Sequence, residues 1–210
     1  MARIAGSHGP TTAAAIRRAG LALIHRHGYE ATSLRQLAAA VGLRPASLYN
    51  HFPTKQALLF SLIHDHMIDL LAGTEAALEA AGRGPLARLR AFLAHHLRYH
   101  LDRKAEVFIA NFELRALAPG NHAAVIGLRR RYEGLLIGLL EEEAAAGRIN
   151  LPDAPVTAYA VLAMLTGACT WYKPEGRLDP EAIIALHTDL VLRGLAAAAP
   201  PLARAASGPE

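Results

Sequence analysis

The sequence predicts an all-α protein of about nine helices, and three observations carry that prediction. Ala and Leu, both strong helix formers, dominate the chain. Runs of β-branched residues, the mark of strands, are missing. Glycine and proline fall between stretches whose apolar residues recur every three or four positions.

The first helix spans about residues 12–27, with Ile16, Ala19, Leu23 and Ile24 on one face and Gly28 ending it. Ser33 caps the second, which carries Leu34, Leu37, Ala38 and Val41 and stops at Gly42. Pro45 opens the third near its first position, and Leu48 and Phe52 anchor it at i, i+4. Thr54 caps a fourth that runs through Leu58, Leu62, Met67 and Leu70 toward residue 80. Beyond the Gly82-Arg83-Gly84-Pro85 break, a fifth covers about 85–101 and a shorter sixth 104–117. Pro119-Gly120-Asn121 reads as a turn into a long seventh helix, about 121–146, stopped by Gly147. An uncharged eighth helix spans 154–172, and a ninth covers about 180–198. Residues 1–10 and 200–210 read as flexible tails.

At 210 residues the chain holds one well-buried domain, or a small one joined to a larger one. Its 52% hydrophobic and 19% charged content is that of a soluble globular protein. The single cysteine, Cys169, excludes an internal disulfide and fits a reducing, cytoplasmic compartment. No N-terminal segment joins a basic start to an apolar core, so no secretory leader is expected. The uncharged run 154–172 is rich in Ala and Thr rather than Leu, Ile, Val and Phe. It is therefore expected to be buried on two sides inside protein, with no membrane partner.

Charge is unevenly placed. Residues 1–60 hold seven Lys/Arg against Glu30 alone, a balance of +6, while residues 61–210 hold 15 basic and 17 acidic groups. That asymmetry suits an end that meets a polyanion, although a solvated basic surface gives the same count.

The stretch Gly42–Phe52 carries the functional signal. Two short helices joined by a glycine-bearing turn, the second exposing polar groups, describe a helix-turn-helix. With Leu48 and Phe52 inward, Arg44, Ser47 and His51 share an outward stripe flanked by Tyr49 and Asn50. Such side chains donate to phosphates and base edges. Arg35, Arg44 and Lys55 each lie at a helix N-terminus, where a cation opposes the macrodipole by about 0.3–1 kcal/mol. Three such placements make sense if each N-terminus grips a phosphate; singly, each is equally an ordinary solvated side chain.

The segment Gly28–Ile63 closely resembles the DNA-binding domain of TetR-type transcriptional repressors. The match rests on Gly28-Tyr29, Thr32-Ser33, Leu37-Ala38, Val41-Gly42, Leu48-Tyr49, His51-Phe52, Lys55 and Leu58-Leu59. The resemblance implies an N-terminal three-helix DNA-binding domain (residues 11–55), a C-terminal helical bundle for ligand binding and dimerisation (56–199), and a homodimer on a palindromic operator in double-stranded DNA. It assigns backbone contacts to Tyr49, His51 and Lys55. Base reading falls to Ser33, Arg35, Arg44, Pro45, Ala46, Ser47 and Asn50.

Farther along, Trp171–Leu195 and Phe112–Glu133 are similar to regulators of fatty-acid or steroid breakdown, several of which respond to coenzyme A thioesters. That resemblance implies a small-molecule inducer, such as an acyl-CoA. Phe92, Tyr99, Phe108, Phe112, Tyr132 and Trp171 are candidates to line an apolar cavity, or else form an aromatic core. His96 and Glu113 join them as candidate polar contacts, Glu113 pairing on the surface as the alternative. Arg129-Arg130-Arg131 reads as a solvated helix face, with phosphate contact at a pocket mouth as the alternative.

Catalysis and metal binding find little support. His96 and His100 lie at i, i+4 and His64 and His66 at i, i+2, but no third ligand, HExxH motif or cysteine pair accompanies them. Cys169 lies in an apolar run that disfavours a thiolate. No cofactor is expected. The reading is a ligand-responsive repressor; its rival is a small helical binding or transport protein whose basic end is incidental.

Overall fold

The computed structural model describes residues 9–196, which form nine α-helices. They are α1 (Gly9–His27), α2 (Leu34–Ala40), α3 (Pro45–Tyr49), α4 (Lys55–Ala80), α5 (Ala87–Asp102), α6 (Lys104–Phe112), α7 (Pro119–Ala145), α8 (Ala154–Trp171) and α9 (Pro180–Leu195). The tail expected at 1–10 lies outside the described residues except for positions 9 and 10, which are helical. The tail expected at 200–210, and the end of the ninth helix beyond 196, also lie outside them.

Helix boundaries follow local chemistry. Ser33 and Gln36 form a reciprocal capping box at α2, so two donors that the helix leaves free are satisfied. Thr54, Asp153 and Asp179 cap α4, α8 and α9 by accepting from the N–H three residues on. Gly42 turns α2 into α3 at φ +67, a conformation that costs other residues a Cβ clash.

Two helices depart from the sequence reading. The sixth ends at Phe112 rather than 117, and a single 3-10 turn follows over Leu114–Ala116. Distant partners claim this corner: Glu113 reaches the Tyr29 N–H, and Gln56 takes both Ala116 O and the Ala118 N–H. The seventh begins at Pro119, inside the expected turn, because proline at the first helical position forfeits only a hydrogen bond the helix lacks anyway.

Two cores result. Ile16, Leu37, Ala38, Leu48, Phe52 and Leu58 close a small one under α2 and α3. A larger one is built from α4–α9, with α4 and α5 at its centre. α1 and α4 belong to both: Ile16 and Leu58 face the small core, Ile24 and Leu59 the large one. Gly20 permits this, since a Cβ there would come within 2.9 Å of Leu58.

α8 is not buried on two sides. Ala154, Ala158, Val161, Leu165 and Ala168 bury one stripe, while Val156, Tyr159 and Trp171 are more than half exposed. By length and composition α8 could cross a membrane. Leu186 and Leu190 of α9 are also more than half exposed.

Candidate DNA interface and ligand cavity

The outward side of the small domain carries the residues expected to meet DNA. Arg35, Arg44, Pro45, Ala46, Ser47, Tyr49 and Asn50 are all exposed, and His51 is half-buried. Tyr49 leaves half its surface open, an unusual cost for an aromatic ring with nothing to cover it. Arg44 is the N-cap residue of α3 and offers no side-chain cap of its own, so its guanidinium is free to reach outward. Ser33 is also exposed, but its hydroxyl already serves the capping box. Lys55, the first residue of α4, lays its ammonium 4.1 Å from the Tyr29 ring centre and donates to Glu30 O at 3.2 Å.

A cavity of about 800 Å³ opens between α1, α6 and α8. Phe108 and Phe112 form one wall with their ring centres 4.6 Å apart, and His25 of α1 meets Phe108 edge-on at 5.1 Å. Ala163, Gly167 and Thr170 of α8 form the opposite wall. Lys104 also lines the cavity, its ammonium donating to Tyr172 O and lying 4.7 Å from the Tyr172 ring centre. Cys169 donates to Thr166 O at 2.9 Å, and burial pushes its thiol up, away from a nucleophilic thiolate.

A second, smaller chamber of about 120 Å³ adjoins it; Asn111, Leu162 and Thr166 line both. Its remaining lining mixes the apolar Met67, Leu70 and Ala110 with the polar His66, His96, His100, Arg129, Tyr132 and Glu133. Burial holds His66 down to about 3, helped by the positive charges of Arg129 and Arg103, and His100 down to about 4. His96, fully enclosed, is held well below the usual histidine range by burial. At neutral pH these rings are uncharged. His100 Nδ1 must donate, since its partner at 2.8 Å is the carbonyl of His96. Among the described residues no group of three or more His, Cys, Asp or Glu is placed to hold a metal ion.

The expected ligand residues therefore divide. Phe108 and Phe112 line the large cavity, and His96 and Tyr132 the small chamber, joined to each other at 2.9 Å. Phe92 is fully buried core. Tyr99 is buried with its hydroxyl donating to His66 O at 3.0 Å, and burial pushes its pKa up to about 12. Trp171 stacks on His187 beside a separate small cleft. The basic triplet is not one solvated face: Arg130 is exposed and Arg131 pairs with Glu75, but Arg129 is half-buried on the chamber wall.

Sequence reasoning missed His25, Lys104, Asn111 and Thr166. Lys104, Phe108, Asn111 and Phe112 share one helical face of α6, a signal that was readable. Nothing local marks His25.

Glu113 has a different place from the one expected. Its carboxylate accepts the backbone N–H of Tyr29 at 3.0 Å, while Gln56 donates to the Tyr29 hydroxyl at 2.9 Å. The corner after α6, next to Phe112, is thus bonded to the loop that precedes α2.

A helix-turn-helix reader fused to a helical bundle with an apolar cavity defines a ligand-responsive DNA-binding transcriptional regulator. Residues 16–62 match the model for bacterial regulatory proteins of the tetR family, and residues 82–195 the tetracyclin repressor-like C-terminal domain. The chain belongs to the TetR family, whose members repress transcription and are not enzymes. It is 26% identical over 171 residues, 80% of this chain and 82% of the relative, to the HTH-type transcriptional repressor KstR2 of Mycolicibacterium smegmatis. The TetR-family regulator PfmR of Thermus thermophilus superposes with a TM-score of 0.77 at 32% identity, over 85% of this chain and 97% of that one. AibR, solved in complex with isovaleryl coenzyme A and operator DNA, superposes with a TM-score of 0.78 at 28% identity, over 85% and 96%. A binding or transport protein without DNA function is not favoured by these relatives.

Proposed function

We propose that this chain is a cytoplasmic, homodimeric repressor that leaves a palindromic operator when an apolar or acyl-thioester ligand fills the cavity between α1, α6 and α8. One observation carries the reading: the cavity touches α1 directly through His25, and its α6 wall runs into Glu113, bonded to Tyr29 at the base of the reader. A ligand that prefers a shifted α6 must move both contacts. By linkage it then weakens DNA by the factor by which DNA weakens it.

Residues 11–55 act as the reader, and 56–199 as the ligand and dimer part. Arg44, Pro45, Ala46, Ser47 and Asn50, with Ser33 and Arg35 at α2, face the bases; Tyr49, His51 and Lys55 hold phosphates. The open face of α8 (Val156, Tyr159, Trp171) and the exposed Leu186 and Leu190 of α9 pair with the same surfaces of a second copy. Two readers then lie about 34–36 Å apart, or a multiple of that, to enter successive major grooves. An acyl-thioester suits a cavity that is apolar within and carries Lys104 on its wall; AibR, the relative solved with a coenzyme A thioester, supports the class.

A mobility-shift assay on the DNA flanking its own gene tests this. A nanomolar, salt-sensitive complex that acyl-coenzyme A thioesters dissolve is expected. Binding that is no tighter to that DNA than to random duplex would sink it.

A further inference from the structure

The small chamber beside the main cavity differs from it in kind, and nothing in the proposed function uses it. Its wall holds a guanidinium whose position is costly. Arg129 is half-buried, and burial lowers its pKa, with only Glu133, four residues on, opposing that shift. Its bonds go to neutral acceptors: Ala110 O at 2.6 Å and Asn111 Oδ1 at 3.1 Å. No carboxylate lies within ion-pair distance of it among the described residues, although six other arginines have such partners. Two buried polar atoms on the same wall, Arg129 Nε and His66 Nδ1, have no partner at all. A buried polar atom without a partner is unfavourable, more so beside a charge, so such groups persist where something satisfies them.

The charge balance of the chamber selects what that is. His66, His96 and His100 are neutral, so Arg129 is its one cation and Glu133 its one anion. The guanidinium has no carboxylate within ion-pair distance and its Nε has no acceptor, so the chamber favours an oxygen carrying negative charge. Asn111 and Thr166 line both spaces, which places Arg129 within one side chain of the apolar cavity; Leu162 is the apolar residue between them.

We propose that the chamber is a subsite for a carboxylate, held by Arg129, at the buried end of a ligand whose apolar body fills the main cavity. This rests on the cavity being the ligand site. The ligand class it defines is an amphiphile with an acidic inner end: a free fatty acid, or a dicarboxylic acid whose other end, free or as a thioester, leaves toward solvent.

The test uses the intact protein and the neutral dye N-phenyl-1-naphthylamine, whose fluorescence reports an occupied apolar cavity. Decanoate and 1-decanol, equal in chain length, are then compared as competitors. Decanoate is expected to displace the dye at a tenfold or more lower concentration than 1-decanol. Arg129→Gln should erase that difference while dye affinity stays within about twofold, the chain-length contribution being untouched. Lys104→Gln should preserve it. Equal competition by acid and alcohol in the wild type would overturn the proposal, and needs no variant to fold. Loss of the difference in Lys104→Gln but not Arg129→Gln would place the carboxylate on the other wall and overturn it as well. A dye that does not bind would instead remove the cavity reading on which this one stands.

Discussion

The carboxylate of Glu113 accepts the backbone N–H of Tyr29 at 3.0 Å across 84 residues of sequence. It joins the end of α6, one residue past the cavity-lining Phe112, to the loop ahead of the reading helices. Tyr29 is itself buried, and Gln56 ties its hydroxyl to Ala116 O and the Ala118 N–H. The first turn of α4, the loop between α1 and α2, and the corner between α6 and α7 are therefore one hydrogen-bonded unit.

Glu113→Ala leaves the Tyr29 N–H without its acceptor and should destabilise the protein by about 1–3 kcal/mol, whereas Glu113→Gln keeps an oxygen in reach and should cost less than about 1. Urea denaturation measures both. The alanine variant should also respond less to ligand at the operator than the glutamine variant. Equal ligand response in the two would separate this bond from the coupling.

The reader makes a second prediction. Lys55→Ala should weaken binding on all sequences and lower the salt slope by about one unit, since one phosphate contact is lost. Arg44→Ala and Asn50→Ala should change which operator bases matter, seen in a base-substitution profile. A Lys55 variant with an unchanged salt slope would show that its ammonium stays on Glu30 and Tyr29 in the complex.

The apolar residues of α9 fall into two sets that their spacing alone does not separate. Ile183, Ile184 and Val191, which the apolar pattern groups with Leu186 and Leu190, are buried within the subunit. A helical stripe says that a face is covered, not by which chain. Leu190→Glu should therefore yield a folded monomer by light scattering, while Val191→Glu should fail to fold. A Leu190→Glu variant that stays dimeric at micromolar concentration would move the interface elsewhere.

Other features were legible for physical reasons that act locally. Ser33, Thr54, Asp153 and Asp179 begin helices because their side chains satisfy free N–H groups, and Gly28, Gly42 and Gly147 end them at positive φ. Helix ends set by distant partners were not legible: α6 stops where Tyr29 and Gln56 take its neighbours' polar groups. The cavity was half legible. Phe92 and Phe108 are the same residue type at similar helical positions, yet one is core and the other lines a void. That difference is decided by how α1, α6 and α8 meet.

Acid should unfold this protein early. His66, His96 and His100 have native pKa values below the unfolded value near 6.5, so the unfolded state binds more protons as pH falls. Stability is full above about 6.5 and falls as pH drops toward the native values of about 4 and about 3 for His100 and His66. His66 and His100 each forfeit about 2 kcal/mol at pH 5, and His96 acts in the same direction. His100→Gln should flatten the dependence measured by denaturation between pH 7 and 5. A wild-type stability constant over that range would contradict burial of these rings as neutral groups.

Coupling between cavity and operator is measured most directly by anisotropy. A labelled operator fragment is titrated with the protein, once alone and once with a saturating amount of the tightest binder in a series of acyl-coenzyme A thioesters. The affinity should fall by about 5–150-fold, the range of a coupling free energy of about 1–3 kcal/mol, and the thioester's own affinity should fall by the same factor when DNA is bound. Operator affinity that is unchanged by a thioester shown to occupy the cavity would contradict release of DNA through α6 and Glu113.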